Sequence, residues 1–201
     1  MAIKPILFNS EMVRAILDGR KDATRRIVKG FIPDDAVWGY TAFTPKGYIS
    51  CRGTFADGYG EKFFKLPCEP GDILYVRETW KKALNGYYYY EAWQRNDIAD
   101  VTKWKSPVCM PKEASRIWLK VKNVRVERLQ EISAESALAE GADKYIHTNG
   151  GLDENMTITS FIGIWNSTIK KSDLDSYGWD ASPWVWVIEF KRCEKPEEIS
   201  G

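Results

Sequence analysis

The chain has 201 residues, with 29 basic side chains against 28 acidic and a formal net charge of +1; this length suits one domain with a genuine core. The near balance excludes a polycation that would coat nucleic acid or an anionic membrane, so any anion binding has to be local. Four cysteines without a C-x-x-C pair (Cys51, Cys68, Cys109, Cys193) and one histidine, His147 in "HTNGG", argue against a zinc site, a disulfide framework or a histidine-based mechanism, and leave lysine or a carboxylate as the base for any chemistry.

Along the chain, Ser10 is expected to cap a short helix with Met12, Val13, Ile16 and Leu17 as its apolar face and Gly19 as its left-handed stop. Lys4, Glu11 and Arg14 interrupt the apolar N-terminal stretch. No segment reaches the roughly 18 uninterrupted apolar residues of a membrane helix, and the expectation is a soluble, cytoplasmic, thiol-reduced protein without metal or organic cofactor. The octet "GRKDATRR", residues 19–26, follows the glycine, where a turn would place Lys21 and Thr24 on one side.

Residues 31–68, rich in Gly, Pro and aromatics, read as short hairpins and loops. "EPGDILYVRETW" is a turn entering a strand, and "GYYYYEAWQ" is β-prone; alternation in Tyr87 to Tyr90 would expose two of the four rings. "MPKEASRIWLKVKNVRVERL" contains a long strand whose apolar phase jumps from Ile117, Leu119 and Val121 to Val124 and Val126, which predicts a bulge or bend near Asn123. Ser133 caps a helix that stops at Gly141, and "TITSFIGIWNSTI" forms another with Phe161, Ile162, Trp165 and Ile169 as its buried stripe. The last strand, "PWVWVIEF", is apolar on both faces and belongs inside the fold, whereas the charged tail 194–201 is expected to fray. Strands interrupted by short helices indicate an α+β fold around a small, curved sheet or barrel.

Glu140 ends its helix where the macrodipole is negative, a position disfavoured by roughly 0.3–1 kcal/mol unless a cation answers it. It is either a solvated surface glutamate or the partner of a distant lysine or arginine. Lys21 is the best candidate for that cation. An ammonium beside a hydroxyl serves as general base only if its pKa falls; burial and the repulsion of Arg20, Arg25 and Arg26 would lower it, and a close Glu140 would raise it. In the catalytic reading Thr24 attacks an acyl carbon, Lys21 takes its proton, and Glu140 orients the amine or passes a proton to the leaving group. In the alternative the four cations form a phosphate-binding patch and Thr24 is an ordinary donor to it. Nine tryptophans and ten tyrosines add rings that could stack on a flat base, although Trp184 and Trp186 read more simply as core or rim.

The stretches "ILDGRKDATRR", "PGDILYVRETW", "MPKEASRIWLKV" and "WDASPWVWVIEF" together resemble the ASCH-domain proteins of bacteriophages and prophages, within the PUA-like superfamily. The resemblance covers a single domain over residues 1–193, with 31–68, 84–105 and 145–178 as variable insertions. It implies a small curved β-barrel with flanking short helices and a cleft for RNA or a modified nucleoside. Compact bacterial ASCH proteins include amidohydrolases that deacetylate N4-acetylcytidine with a lysine, a threonine and a glutamate. Their G-R-K-T-x-T motif matches Lys21 and Thr24 here, with Asp22 in place of the first threonine, and their glutamate falls on Glu140 by position. Glu78 in "VRET" is the rival acid. The resemblance thus implies catalysis by Lys21, Thr24 and Glu140, and ligand contacts from Arg20, Arg25, Arg26, Glu78 and Lys112, in an amidohydrolase acting on a modified pyrimidine nucleoside. The runner-up is a non-catalytic RNA-binding module whose basic surface extends over Lys112, Arg116, Lys120 and Lys122; a third reading is a ribonuclease that uses the same lysine.

Overall fold

A computed structural model describes residues 1–84, 86–94 and 103–197, without the side chains of residues 93 and 94. Parts of the expected 84–105 insertion and of the frayed tail lie outside the described residues. In chain order the strands are β1 (Ile3–Leu7), β2 (Ala23–Ile27), β3 (Val37–Gly39), β4 (Tyr48–Phe55), β5 (Gly58–Lys65), β6 (Ile73–Arg77), β7 (Trp80–Ala83), β8 (Gly86–Tyr89), β9 (Trp118–Arg128) and β10 (Trp184–Cys193). Helices α1 (Ser10–Leu17), α2 (Tyr90–Gln94), α3 (Ala134–Ala139), α4 (Glu154–Thr168) and α5 (Leu174–Tyr177) are interspersed among them. The result is an α+β protein of mixed sheets and short helices.

The main sheet has the order β1-β6-β9-β10-β2. β1 runs parallel to β6, and the other three pairings are antiparallel. As its two apolar faces require, β10 is a central strand: Trp186, Ile188 and Phe190 join the larger core with α1, while Val185 and Val187 face Phe161 and Trp165 of α4. The bulge expected near Asn123 is present, for Glu189 pairs with Asn123 and Phe190 with Val121, leaving Lys122 unopposed. The sheet curls far enough for its outer strands to meet through a side chain: Arg26 Nη2 of β2 donates to the Leu7 carbonyl of β1 at 2.7 Å.

A second sheet, β3-β4-β5, is built from the hairpins expected in 31–68, although β4 and β5 are longer than short loops suggest, at eight residues each. Its inner face packs on the main core, where the Trp38 ring lies 5.1 Å from Phe64, 5.7 Å from Trp184 and 6.2 Å from Trp186. A two-stranded ribbon, β7-β8, completes the strands. Among the described residues no helix is long and apolar enough to cross a membrane.

Four local expectations need correction. The cap of α1 is Asn9, whose side chain accepts the Met12 amide at 2.8 Å, and Ser10 is already helical. The buried stripe of α4 is Thr157, Phe161 and Trp165, supported by Ile158, Ile164 and, as expected, Ile169 at the helix end; Ile162 falls outside that cluster. Residues 23–27 form a strand, not a turn, because β10 supplies a ladder partner for every one of them. Finally, Tyr87 to Tyr90 are all half-buried, since the strand ends at Tyr89 and a helix begins at Tyr90, so strict alternation never operates.

Candidate functional site

Two helix ends create the site. α1 stops at Gly19 (φ 74°) with Gly19 N–H donating to Ile16 O and Arg20 N–H to Ala15 O, the paired bonds of a Schellman end. α3, capped by Ser133 as expected, stops the same way at Gly141 (φ 90°), where Gly141 N–H donates to Leu138 O and Ala142 N–H to Ala137 O. The two ends meet. A Cβ on Gly141 would lie 3.0 Å from Ala15 Cβ and 3.5 Å from Lys21 Cβ, so glycine permits both the left-handed turn and the close approach.

This packing forms a bridge between Lys21 and Glu140. The Lys21 amine donates to Glu140 Oε2 at 2.6 Å and to the Glu140 carbonyl at 2.8 Å. The Lys21 side chain is fully buried and that of Glu140 is 6% exposed, so Glu140 is not a solvated surface group. Its awkward place at a helix C-terminus is answered by two cations, Lys21 and Arg25, the latter at 3.3 Å from Oε1. Burial is the largest influence on Lys21 and lowers its pKa below the ordinary 10.5. Glu140 opposes that shift through charge and hydrogen bonding, and Arg26 and Arg25 add to it. Asp22, the departure from the amidohydrolase motif, is exposed and is not among the groups acting on Lys21.

The network continues from Glu140. Arg25 Nε donates to Glu127 Oε1 at 3.0 Å, Glu127 Oε2 accepts from Arg125 at 3.1 Å, and Arg125 pairs with Glu189. Three cations and three carboxylates alternate, so the chain of pairs is neutral as a whole. Sequence reading missed Glu127 and Arg125; the signal was the alternation in "VRVE", where two charged residues interleave with Val124 and Val126 on a strand of the core.

Thr24 is 2% exposed and pairs with Ile188 across the ladder, on the face that also carries Arg26. Its hydroxyl makes no hydrogen bond to Lys21 among the described residues. It is also absent from the sealed, unpartnered polar atoms, which belong to Trp38, Arg77, Trp80 and Trp184. Of the four cations in the octet only Arg20 is exposed. Arg25 is locked by Glu127 and Glu140, and Arg26 lies 5.3 Å from the centre of the Phe8 ring, with Lys21 5.7 Å from the same ring. The octet therefore presents no four-cation surface to a phosphate.

A cavity of about 280 Å³ opens beside the pair, with Asn9, Met12, Arg14, Arg20, Glu140 and Ser160 in its wall, near the lower end of the range for small-molecule sites. A second, of about 300 Å³, sits at the seam between β1 and β2 and is lined by Arg26 and Ile188.

Glu78 lies in a separate buried cluster. Arg116 grips it with two hydrogen bonds of 2.9 and 2.8 Å and reaches Glu91 at 3.2 Å, while Arg14 approaches Glu91 at 3.4 Å. Burial raises the Glu78 pKa, Arg116 opposes that shift, and Glu91 adds to it. Lys112 is half-buried on a short 3-10 turn. Lys120 and Lys122 are exposed, but Arg116, the cation expected between them and Lys112, is committed to carboxylates. Among the described residues no cluster of His, Cys, Asp and Glu could hold a metal ion. Compared with protein-family models, curated proteins and solved structures, the chain gives no match.

Proposed function

We propose that the protein is an ASCH-type amidohydrolase that cleaves the exocyclic amide of a modified pyrimidine nucleoside such as N4-acetylcytidine. The reading rests on one observation: a fully buried lysine amine with a lowered pKa is paired at 2.6 Å with a carboxylate that also lines a cavity. Perturbed groups of this kind beside a cleft are what proton-transfer chemistry requires. The finer fold assignment is part of the same proposal. The four stretches that carry the resemblance lead into or form β2, β6, β9 and β10, four of the five strands of one curled sheet, as a PUA-like barrel would have it.

In this mechanism Thr24 Oγ1 attacks the amide carbonyl carbon as its proton passes to neutral Lys21. The C–N bond breaks as Glu140 relays a proton to the departing exocyclic nitrogen, freeing cytidine and leaving an acetyl ester on Thr24. Water then attacks the ester with Lys21 again as base, releasing acetate and restoring the hydroxyl. Arg26 uses a single N–H in a described hydrogen bond and has donors left for the oxyanion. The Thr24–Lys21 hydrogen bond forms in the substrate complex, where catalytic contacts tighten.

The test is to incubate the full chain with N4-acetylcytidine and quantify cytidine and acetate. Thr24→Val is the informative variant, because it removes the nucleophile while keeping the shape and breaking no described hydrogen bond. Turnover in the wild type and its loss in Thr24→Val, with the melting temperature kept, support the proposal. An inactive wild type or an active Thr24→Val overturns it. A labelled RNA incubated in parallel assigns an inactive protein to the other readings: retention without cleavage marks a binding module, and shortening marks a ribonuclease.

A further inference from the structure

The β3-β4-β5 sheet has one face in the core and one in water. On the outer face β5 presents Tyr59, Glu61, Phe63 and Lys65, all exposed, with Tyr59 at 74% and Phe63 at 38%. Arg52 of β4 stands opposite Glu61, so it is the diagonal neighbour of both Tyr59 and Phe63; Tyr48 stands opposite Lys65 and diagonal to Phe63. Rings and cations therefore alternate along the face.

Neither cation is engaged. Arg52 and Lys65 have no acidic partner among the described residues, and the one carboxylate between the rings, Glu61, accepts the hydroxyl of Ser50. Of the seven exposed aromatic rings among the described residues, Tyr59 and Phe63 stand on β5, Phe31, Tyr40 and Phe43 lie in the segments on either side of β3, and Tyr145 and Tyr177 lie elsewhere. Tyr59 and Phe63 are the two of these that stand on a strand, and they share one face of it.

We propose that this outer face binds single-stranded nucleic acid, with bases stacked on Tyr48, Phe63 and Tyr59 and phosphates met by Arg52 and Lys65. Tyr59 and Phe63 are about 14 Å apart along the strand, and Arg52 lies between them. That order, ring then cation then ring, matches a backbone whose bases and phosphates alternate. A duplex hides the base faces that the rings would stack on. An apolar protein partner would have to bury two unpaired cations, an expensive step. The surface is distinct from the Lys21 pair, so free-nucleoside hydrolysis and strand binding can fail separately.

Fluorescence anisotropy with a labelled 12-residue oligouridylate and the full chain tests the proposal. The wild type should bind, and Tyr59→Ala with Phe63→Ala should weaken binding by about tenfold or more. Arg52→Gln should reduce the slope of log affinity against log salt by about 0.7. All three positions are exposed, so circular dichroism should be unchanged in the variants. Three outcomes overturn the proposal: no binding at low salt, binding unaffected by the aromatic variant, or equal affinity for a duplex of the same length. Self-association of the chain that the same variant abolishes, without oligonucleotide binding, also overturns it by assigning the face to protein contact.

Discussion

Lys21 and Glu140, 119 residues apart, share two hydrogen bonds: the lysine amine donates to the glutamate carboxylate at 2.6 Å and to its backbone carbonyl at 2.8 Å. One bond depends on the protonation of the pair and the other only on where α3 ends. Loss of the carboxylate charge would therefore leave the amine anchored, which makes its titration separable from its position.

For the proposed hydrolysis, a pH dependence follows from that separation. Lys21 accepts a proton only when neutral, so kcat/KM should climb as pH rises through a Lys21 pKa below 10.5. Glu140 raises this pKa, hence Glu140→Gln should move the rising limb to lower pH, whatever it does to the maximum rate. Arg26 lowers it, and Arg26→Gln should move the limb to higher pH. Profiles of kcat/KM for the three proteins check both directions. Coincident limbs would remove Lys21 as the titrating base. The stability sign follows from the same shift. Between the folded pKa and 10.5 the unfolded chain binds more protons at this site, so its contribution to stability grows with pH in that window.

Gly141→Ala tests the junction of the two helix ends. The new methyl would lie 3.0 Å from Ala15 Cβ at a φ of 90°, and a residue held in that region costs about 1–3 kcal/mol before any displacement. Gly19→Ala is the matched control: its φ is 74°, but no atom lies within 4 Å of the added carbon, so only the left-handed cost of about 1 kcal/mol applies. Urea unfolding of both variants should show the larger loss at position 141. Equal losses would mean that the contact with α1 is not tight.

Arg116→Met should separate the second cluster from the first. The change leaves Glu78 and Glu91 buried, each 2% exposed, without their shared guanidinium, a loss of about 3–5 kcal/mol at neutral pH for a broken buried pair. Without Arg116 the influences that raise the Glu78 pKa act unopposed. The folded state then holds protons more tightly than the unfolded chain, so stability is recovered as pH falls toward the ordinary value of 4.5 and is lost as pH rises above it. Thermal melts at pH 5 and pH 7.5 measure this, and the variant should melt higher at the acid pH.

Local features were legible wherever the cause was local. The Gly19 and Gly141 stops, the Ser133 cap, the two-faced strand β10 and the bulge beside Asn123 all follow from residues within a turn or a ladder step of each other. Neighbouring candidates blurred the remainder: Asn9 and Ser10 are both good caps, and either Ile162 or Ile158 completes an apolar stripe around Phe161. The strand at 23–27 was not legible, since its one ladder neighbour among the described residues is β10, more than 150 residues further along.

For the site, the sequence by itself determined that Glu140 sits at a helix end where a carboxylate is disfavoured, that a basic octet follows another helix end, and that the chain holds a single histidine. Tertiary structure alone decided which cation answers. Desolvation and pairing are properties of position in space: the same octet leaves Lys21 fully buried against Glu140, locks Arg25 into Glu127, lays Arg26 on Phe8 and leaves Arg20 in water. Residue type sets the sign of a charge, and the packing around it sets whether that charge is available.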